Sequence, residues 1–212
     1  MTSSLDLAAL LCSRLCHDLT SPISALGNGL ELLATEEEQE MREHCLGLID
    51  RSAKASAAKL RFFRLAFGSA GGFAEEVPVQ EARDVLAALT EGEGKVTLEW
   101  AVEAESLPKC ALKVLLNLAG LGMDALVRGG TLAVGAERGP GAIEIVVRAS
   151  GPRIAFGQDM GAALDGSLGE EERSARTAPA VLVRLLAEER GGDVQFALSG
   201  DALIMGAVLP DA

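Results

Sequence analysis

Apolar residues recur at alternating steps of four and three positions along the first 34 residues. The series consists of Leu5, Ala9, Cys12, Cys16, Leu19, Ile23, Leu26, Leu30 and Leu33. This is the spacing of a heptad seam, in which one apolar stripe faces a neighbouring helix. It predicts a helix from about residue 4 to 34, with His17 beside the seam and accessible to solvent.

A second apolar series with the same spacing predicts a helix from about residue 36 to 67. Its members are Leu46, Ile49, Ala53, Ser56, Leu60, Phe63 and Phe67. Thr35 is expected to cap this helix, with Glu38 in the capping-box position, and the acidic side chains around it favour the start of a helix. Gly68, Gly71 and Gly72 are expected to end the helix and to supply a linker.

Two helices cannot enclose a core of their own. If both helices carry wide apolar faces, a lone hairpin leaves a large hydrophobic area in contact with water, and pairing two copies as a four-helix bundle covers that area. The sequence therefore predicts that residues 1–75 form a helical hairpin for dimerisation, and we expect a homodimer.

After residue 76 the pattern changes to shorter segments. Strands are predicted for residues 95–103, 131–137, 142–149, 193–198 and 202–209, and helices for residues 80–89, 107–126 and 177–191. This order favours an α/β sandwich over residues 76–212, with a mixed, mostly antiparallel sheet that helices cover on one face. The chain as a whole is predicted to be of the α+β class.

Charge and composition exclude several kinds of protein. The net charge of −12 argues against nucleic-acid binding, which needs clustered basic residues. No early segment has the pattern of a signal peptide, and we expect no membrane span, because the sequence lacks an apolar run of about 18 residues. The four cysteines lack the spacing of a zinc or haem site, and we expect buried, reduced thiols in a cytoplasmic chain. They are Cys12, Cys16, Cys45 and Cys110.

One of the two histidines, His17, begins the sequence His-Asp-Leu-Thr-Ser-Pro. A neutral imidazole nitrogen can carry a phosphoryl group if the other ring nitrogen keeps its proton and a partner fixes the tautomer. Asp18 is the candidate partner, although adjacent helical residues face apart and Ser21 lies nearer on the same face. Pro22 removes the backbone hydrogen bond to the Asp18 carbonyl, which would permit a local distortion. The spacing alone leaves open a surface histidine with no chemical role.

These residues resemble the phosphoacceptor box of sensor histidine kinases. The order of elements after residue 76 is similar to the ATP-binding (Bergerat) domain of that family, in which Asn117 matches the asparagine that helps hold Mg-ATP. Other nucleotide-binding positions depart from the family. Ala149 replaces the aspartate that binds adenine, Arg153 replaces a glycine, and a glycine-free stretch around Pro179 replaces the phosphate loop. We therefore expect no ATP binding.

An intact phosphoacceptor box joined to a degenerate ATP domain resembles the ChpT-type histidine phosphotransferases of bacterial phosphorelays. The resemblance implies that His17 shuttles a phosphoryl group between receiver-domain aspartates of an upstream hybrid kinase and a downstream response regulator. Asp18 would orient the ring, and Ser21 would contact the phosphoryl group or a water. The chain would need no cofactor, because the receiver supplies Mg²⁺. The rival interpretations are an ATP-dependent histidine kinase, a receiver-directed phosphatase that uses Ser21 or Thr20, and a dimeric adaptor.

The stretch from residue 51 to 64 is basic and contains no acid. Its basic residues are Arg51, Lys54, Lys59, Arg61 and Arg64. A solvated helix face would explain some of them, whereas a basic surface near His17 would attract an acidic partner. Given the resemblance, we expect Arg61 and Arg64 to bind the partner. His44 has no motif around it and is expected to be replaceable.

Overall fold

The structure is a computed structural model that describes residues 4–68, 76–93 and 95–211. It has the α+β class that the sequence predicts. The helices are α1 (Ser4–Thr35), α2 (Gln39–Ala66), α3 (Val79–Glu93), α4 (Lys109–Ala125), α5 (Gln158–Asp165) and α6 (Ala178–Glu189), with a short 3₁₀ helix at Glu170–Glu172. The strands are β1 (Glu76–Pro78), β2 (Val96–Val102), β3 (Ser106–Pro108), β4 (Gly130–Gly139), β5 (Ala142–Ser150), β6 (Asp193–Ser199) and β7 (Ala202–Pro210).

Helices α1 and α2 pack against each other as a hairpin, close to the predicted bounds. Gly29 permits a close approach, because a Cβ atom there would lie 2.9 Å from the Cγ1 atom of Ile49. The predicted cap of α2 is wrong. Helix α1 continues through Thr35, so the cap position passes to Glu38, whose side chain makes no capping hydrogen bond. The glycine linker predicted at residues 71 and 72, and the domain boundary predicted after residue 75, lie outside the described residues.

The heptad seam of α1 is only partly covered within one chain. Leu19 is buried, whereas the side chains of Ile23 and Leu30 are 54% and 50% exposed. Cys12 and Cys16 are also exposed, so the expectation of buried thiols is wrong for these two cysteines. They lie on the part of the seam that α2 does not reach. A second apolar stripe of α1, which includes the buried Leu7, packs into the core shared with the α/β part of the chain from residue 76 onward, here called the second domain.

The larger sheet has the strand order β2-β4-β5-β7-β6. Strands β2 and β4 are parallel and the other pairs are antiparallel, which confirms the predicted mixed sheet. Alternate residues such as Val134, Val147 and Met205 are aligned across three strands and are buried beneath the helices. The opposite face is open, and Val146 and Val208 are each 48% exposed there. The helices therefore cover one face of the sheet.

Several short elements escape the sequence prediction. Strands β1 and β3 pair with each other as a separate two-stranded sheet, and each has only three residues and ends in proline. Helix α5 has eight residues. Segments of this length show too few positions for a periodic pattern.

Helix α4 connects the hairpin to the sheet. It contacts β4, β5 and β7 as well as α2 and α6. Its side chains are buried on nearly every side, among them Leu112, Leu115, Leu116 and Leu118. A helix that is apolar around its whole circumference is a buried helix. One continuous core therefore extends from the base of the hairpin to the sheet.

Pro22 lies inside α1 and has no amide hydrogen, so the Asp18 carbonyl lacks its normal helical donor. The Nζ atom of Lys59, on α2, donates to this carbonyl oxygen at 3.1 Å. A partly buried carbonyl without a donor would destabilise the fold. Lys59 thus replaces the hydrogen bond that Pro22 removes, and it links the two helices beside His17.

Replacement Lys59→Met is expected to lower the free energy of unfolding by about 1 kcal/mol, because it leaves the Asp18 carbonyl without a donor. In a Pro22→Ala background the restored amide takes over this role, so Lys59→Met should then lower it by less than about 0.5 kcal/mol. Urea unfolding of the four chains measures the difference.

The matched control is Lys54→Met on the same helix, where the lysine side chain is 76% exposed and pairs with Asp50. Its effect should stay within about 0.5 kcal/mol. An equal effect of Lys59→Met with and without Pro22 would contradict the assignment.

Candidate functional site

His17 lies on the exposed side of α1, and 84% of its side chain is accessible to solvent. Its Nδ1 atom lies 3.0 Å from the Oδ1 atom of Asp18. An ionised carboxylate can only accept a hydrogen bond, so Nδ1 carries the proton and donates it. The other nitrogen, Nε2, then holds the lone pair that can attack an electrophile. The geometry therefore provides the rotamer that a contact between adjacent helical residues requires.

The carboxylate of Asp18 is held from its other side by Arg14. The Nε atom of Arg14 donates to Oδ2 of Asp18 at 2.6 Å, and its Nη2 atom donates to Oδ2 of Asp124 at 2.6 Å. Burial lowers the pKa of Arg14, but the two carboxylates raise it by more, so the net direction is upward. Arg14 stays charged at any relevant pH and connects α1 to α4.

Sequence reasoning missed both Arg14 and Asp124. Arg14 stands four residues before Asp18, which is the spacing of a helical ion pair, so this signal was present in the sequence. Asp124 is separated from Arg14 by 110 positions, and only the tertiary fold brings the two together.

The other predicted site residues lie apart from this cluster. Ser21 is exposed one turn further along α1. Arg61 and Arg64 are exposed on α2, and Arg64 points toward α3, where its Nη2 atom lies 3.8 Å from Glu81. An exposed pair at this distance contributes little to stability. Lys59 is the residue of the basic stretch that contacts the site, through the Asp18 carbonyl.

A cleft of about 550 Å³ separates α1 from the second domain beside His17. Arg14, His17 and Asp18 line one wall, and Phe156 and Arg176 line the other. Arg176 belongs to the glycine-free stretch that stands where the phosphate loop of a kinase would be. The second domain thus contributes a cation and an aromatic ring to the space in front of the imidazole.

The position that matches the Mg-ATP asparagine is enclosed in protein. Asn117 is 1% exposed, and its Nδ2 atom donates to the carbonyls of Ala66 at 3.1 Å and Lys113 at 2.8 Å. Its Oδ1 atom is buried and has no hydrogen-bond partner among the described residues. Ala149 and Pro179 are buried as well. Asn117 and Pro179 nevertheless line a cavity of about 340 Å³, whose other lining residues include Arg14, Lys59 and Phe62.

Among residues 4–68, 76–93 and 95–211, no three His, Cys, Asp or Glu side chains converge in a way that would hold a metal ion. None of the helices in these ranges combines the length and apolar content that a membrane crossing requires.

Comparison with known proteins places this geometry in a family. Residues 79–202 match the family model for the histidine phosphotransferase C-terminal domain. The protein phosphotransferase ChpT of Brucella abortus (strain 2308) is 35% identical over 205 residues, which cover 97% of this chain and 96% of that protein.

Solved structures agree with the sequence relatives. A bacterial phosphotransferase solved at 1.7 Å superposes with a TM-score of 0.85 at 34% identity, over 98% of both chains. A histidine kinase domain from Erythrobacter litoralis EL346 is 13% identical with a TM-score of 0.50, over 90% of this chain and 95% of that one, and shares the fold alone. The family model covers residues 79–202, and the relatives cover nearly the whole chain, including the helix that carries His17. The chain therefore belongs to the ChpT-type histidine phosphotransferases.

Proposed function

We propose that this chain accepts a phosphoryl group on Nε2 of His17 from a receiver-domain aspartate and passes it to a second receiver, without using ATP. The proposal rests on the exposure and the hydrogen bonding of the His17 imidazole. The ring is exposed, and its Nδ1 atom lies 3.0 Å from the Asp18 carboxylate. Nε2 is therefore the nitrogen that remains available to a phosphoryl group.

The transfer balances without an external acid or base. The Nε2 lone pair of neutral His17 attacks phosphorus, the Nε2–P bond forms, and the bond from phosphorus to the receiver's aspartyl oxygen breaks. The receiver's carboxylate leaves with the electron pair. The ring then carries a positive charge, since Nδ1 keeps its proton, and the adjacent Asp18 carboxylate stabilises that charge. The return step reverses each of these changes on the next receiver.

The partner class is supported by charge and by family membership. A receiver that holds Mg²⁺ in an acidic pocket supplies the metal, so His17 needs in-line positioning and a basic environment. Arg14 and Lys59 offset the carboxylates of Asp18 and Asp124 beside His17. The chain has a net charge of −12, yet the exposed Arg176 lines the His17 cleft and the exposed Arg61 lies on the adjacent helix. Such a local basic surface attracts an acidic partner to this part of the molecule. Arg61 and Arg64 remain the proposed docking residues on α2.

The nucleotide positions support transfer without ATP. Asn117 donates both amide hydrogens to protein carbonyls, and its Oδ1 atom is buried, so the side chain is already engaged within the protein. Pro179 has no amide hydrogen to offer to a phosphate, and it is buried beneath neighbouring side chains. The residues present do not fit Mg-ATP, so the phosphoryl group is expected to come from another protein.

We also propose that the working form is a homodimer. Large apolar side chains on the hairpin are half exposed or more, and they lie along both helices. They include Leu5, Ile23, Leu30, Leu46 and Leu60. A second copy of the hairpin would cover them as a four-helix bundle, which is the assembly that the heptad spacing predicts.

The central test presents the purified chain with two phosphoryl sources in parallel, labelled ATP with Mg²⁺ and a labelled phospho-receiver. We expect acid-labile, base-stable label from the receiver and none from ATP, because the imidazole is exposed and the residues at the nucleotide positions do not suit Mg-ATP. His17→Ala should abolish the label while leaving the fold unchanged by circular dichroism.

The matched control is His44→Ala, which removes the other histidine from an exposed position on α2 and should leave labelling at its original rate. Label that persists in His17→Ala would refute the assignment. Label from ATP would identify an ATP-dependent histidine kinase. The absence of label from both sources would favour the interpretation of the chain as a dimeric adaptor.

The dimer is tested with Leu30→Asp, which places a charge on the exposed seam at a distance from His17. Sedimentation equilibrium should show the original chain as a dimer and the variant with a dissociation constant raised at least about 100-fold, since burying a carboxylate in an apolar interface is strongly unfavourable. Val208→Asp, on the open face of the sheet, is the control and should leave the dimer intact. A monomeric original chain would contradict the proposal.

A further inference from the structure

We propose that Arg14 and Asp124 are positioning residues for phosphoryl transfer: Asp124 of the second domain, acting through Arg14, holds Asp18 in the orientation that keeps the proton on Nδ1 of His17. This inference rests on the proposed function and deepens it. It assigns a role in phosphoryl transfer to the second domain.

The four side chains form one connected series of contacts. Asp124 accepts from Nη2 of Arg14 at 2.6 Å, Nε of Arg14 donates to Oδ2 of Asp18 at 2.6 Å, and Oδ1 of Asp18 lies 3.0 Å from Nδ1 of His17. The two carboxylate oxygens of Asp18 are therefore used by different partners, one for orientation and one for the imidazole. The planar guanidinium is suited to this arrangement, because its donors point in fixed directions toward two acceptors.

Asp18 needs an external anchor for a geometric reason. Adjacent residues on a helix point about 100° apart, so the contact with His17 exists in only some rotamers of the two side chains. A free carboxylate would sample other rotamers, and restricting it costs conformational entropy. The side chains of Arg14 and Asp18 are only 17% and 18% exposed, so their ion pair is partly shielded from water and holds its geometry.

Asp124 also balances the charge around the ring. The cations that contact Asp18 are Arg14, through the carboxylate, and Lys59, through the backbone carbonyl. With the carboxylates of Asp18 and Asp124 the charges sum to zero. Without Asp124 the cluster would carry one net positive charge, which opposes the positive charge that the ring acquires when Nε2 is phosphorylated. Loss of Asp124 thus acts on both the orientation of Asp18 and the energy of the phosphorylated ring.

The test uses Asp124→Asn, which keeps the shape of the side chain and removes its charge. Two quantities are measured: the ¹⁵N chemical shifts of the His17 ring, which report the tautomer, and the single-turnover rate of transfer from a phospho-receiver over a range of receiver concentrations. Since the chain has only two histidines, the exposed His44 gives a reference signal in the same spectrum.

We expect Asp124→Asn to move the His17 shifts away from the Nδ1-protonated pattern and to leave those of His44 unchanged. The maximal transfer rate should fall about tenfold, which is the scale of one charge-assisted hydrogen bond, with an unchanged half-saturating receiver concentration. Asp124→Glu, which keeps the charge, should restore both measurements in large part. Arg14→Lys keeps the charge but not the fork, and it should reproduce the defect of Asp124→Asn.

The control is Asp193→Asn, which breaks a similar contact between elements of the second domain, at 3.1 Å from Arg184, without touching the His17 cluster. It should change neither measurement. An Asp124→Asn chain with the original shifts and a rate within about twofold of the original would overturn the inference. So would a defect confined to the half-saturating concentration, because that result makes Asp124 a docking residue.

The two proposals fail in different ways. If the unmodified chain takes no label from any receiver, the proposed function is wrong, and the ¹⁵N spectra of the variants still decide whether Asp124 governs the His17 tautomer. If the unmodified chain is labelled and the variants have the same transfer rate and the same ¹⁵N shifts, the proposed function is supported and the positioning role of Asp124 is wrong.

Discussion

The burial of α4 on nearly every side is the constraint on which the rest of this structure depends. One side of the helix packs on the sheet, and its other sides contact α2 and α6. Two polar residues, Asn117 and Asp124, stand seven positions apart on it, so they share a face. Asn117 binds the last turn of α2 through the Ala66 carbonyl, and Asp124 binds α1 through Arg14. The same face of one helix therefore fixes both helices of the hairpin.

This arrangement gives Asn117 a structural role within the second domain. In the family that it resembles, the asparagine on this helix helps hold Mg-ATP. Here the side chain is enclosed, and its amide serves the end of α2. A buried amide must find acceptors or destabilise the fold, and the Ala66 carbonyl is one of the unpaired groups that every helix end leaves. The Asn117 amide and the Ala66 carbonyl therefore satisfy each other, and this hydrogen bond connects the second domain to the hairpin.

The sequence was sufficient for elements with a long period and for chemistry contained in a short motif. The heptad spacing located α1 and α2 to within a few residues, and the motif beginning at His17 pointed to Asp18 as the partner of the ring. It was insufficient where the answer depended on tertiary packing. The seam did not reveal that α2 leaves Cys12 and Cys16 uncovered, because a pattern shows that a stripe is apolar but not what covers it. Asp124 carried no local signal at all, since its partner is 110 residues away.

Asp18 is bound to three elements by separate groups. Its carboxylate reaches α4 through Arg14, its carbonyl reaches α2 through Lys59, and its backbone belongs to α1. Local opening of the chain around His17 would have to break all three connections together. Exposed functional groups usually belong to segments that fluctuate at low free energy, apart from the core. Here the imidazole meets solvent while the residue beside it belongs to the same cooperative unit as the core, so the ring can be fully accessible without resting on a locally unstable segment.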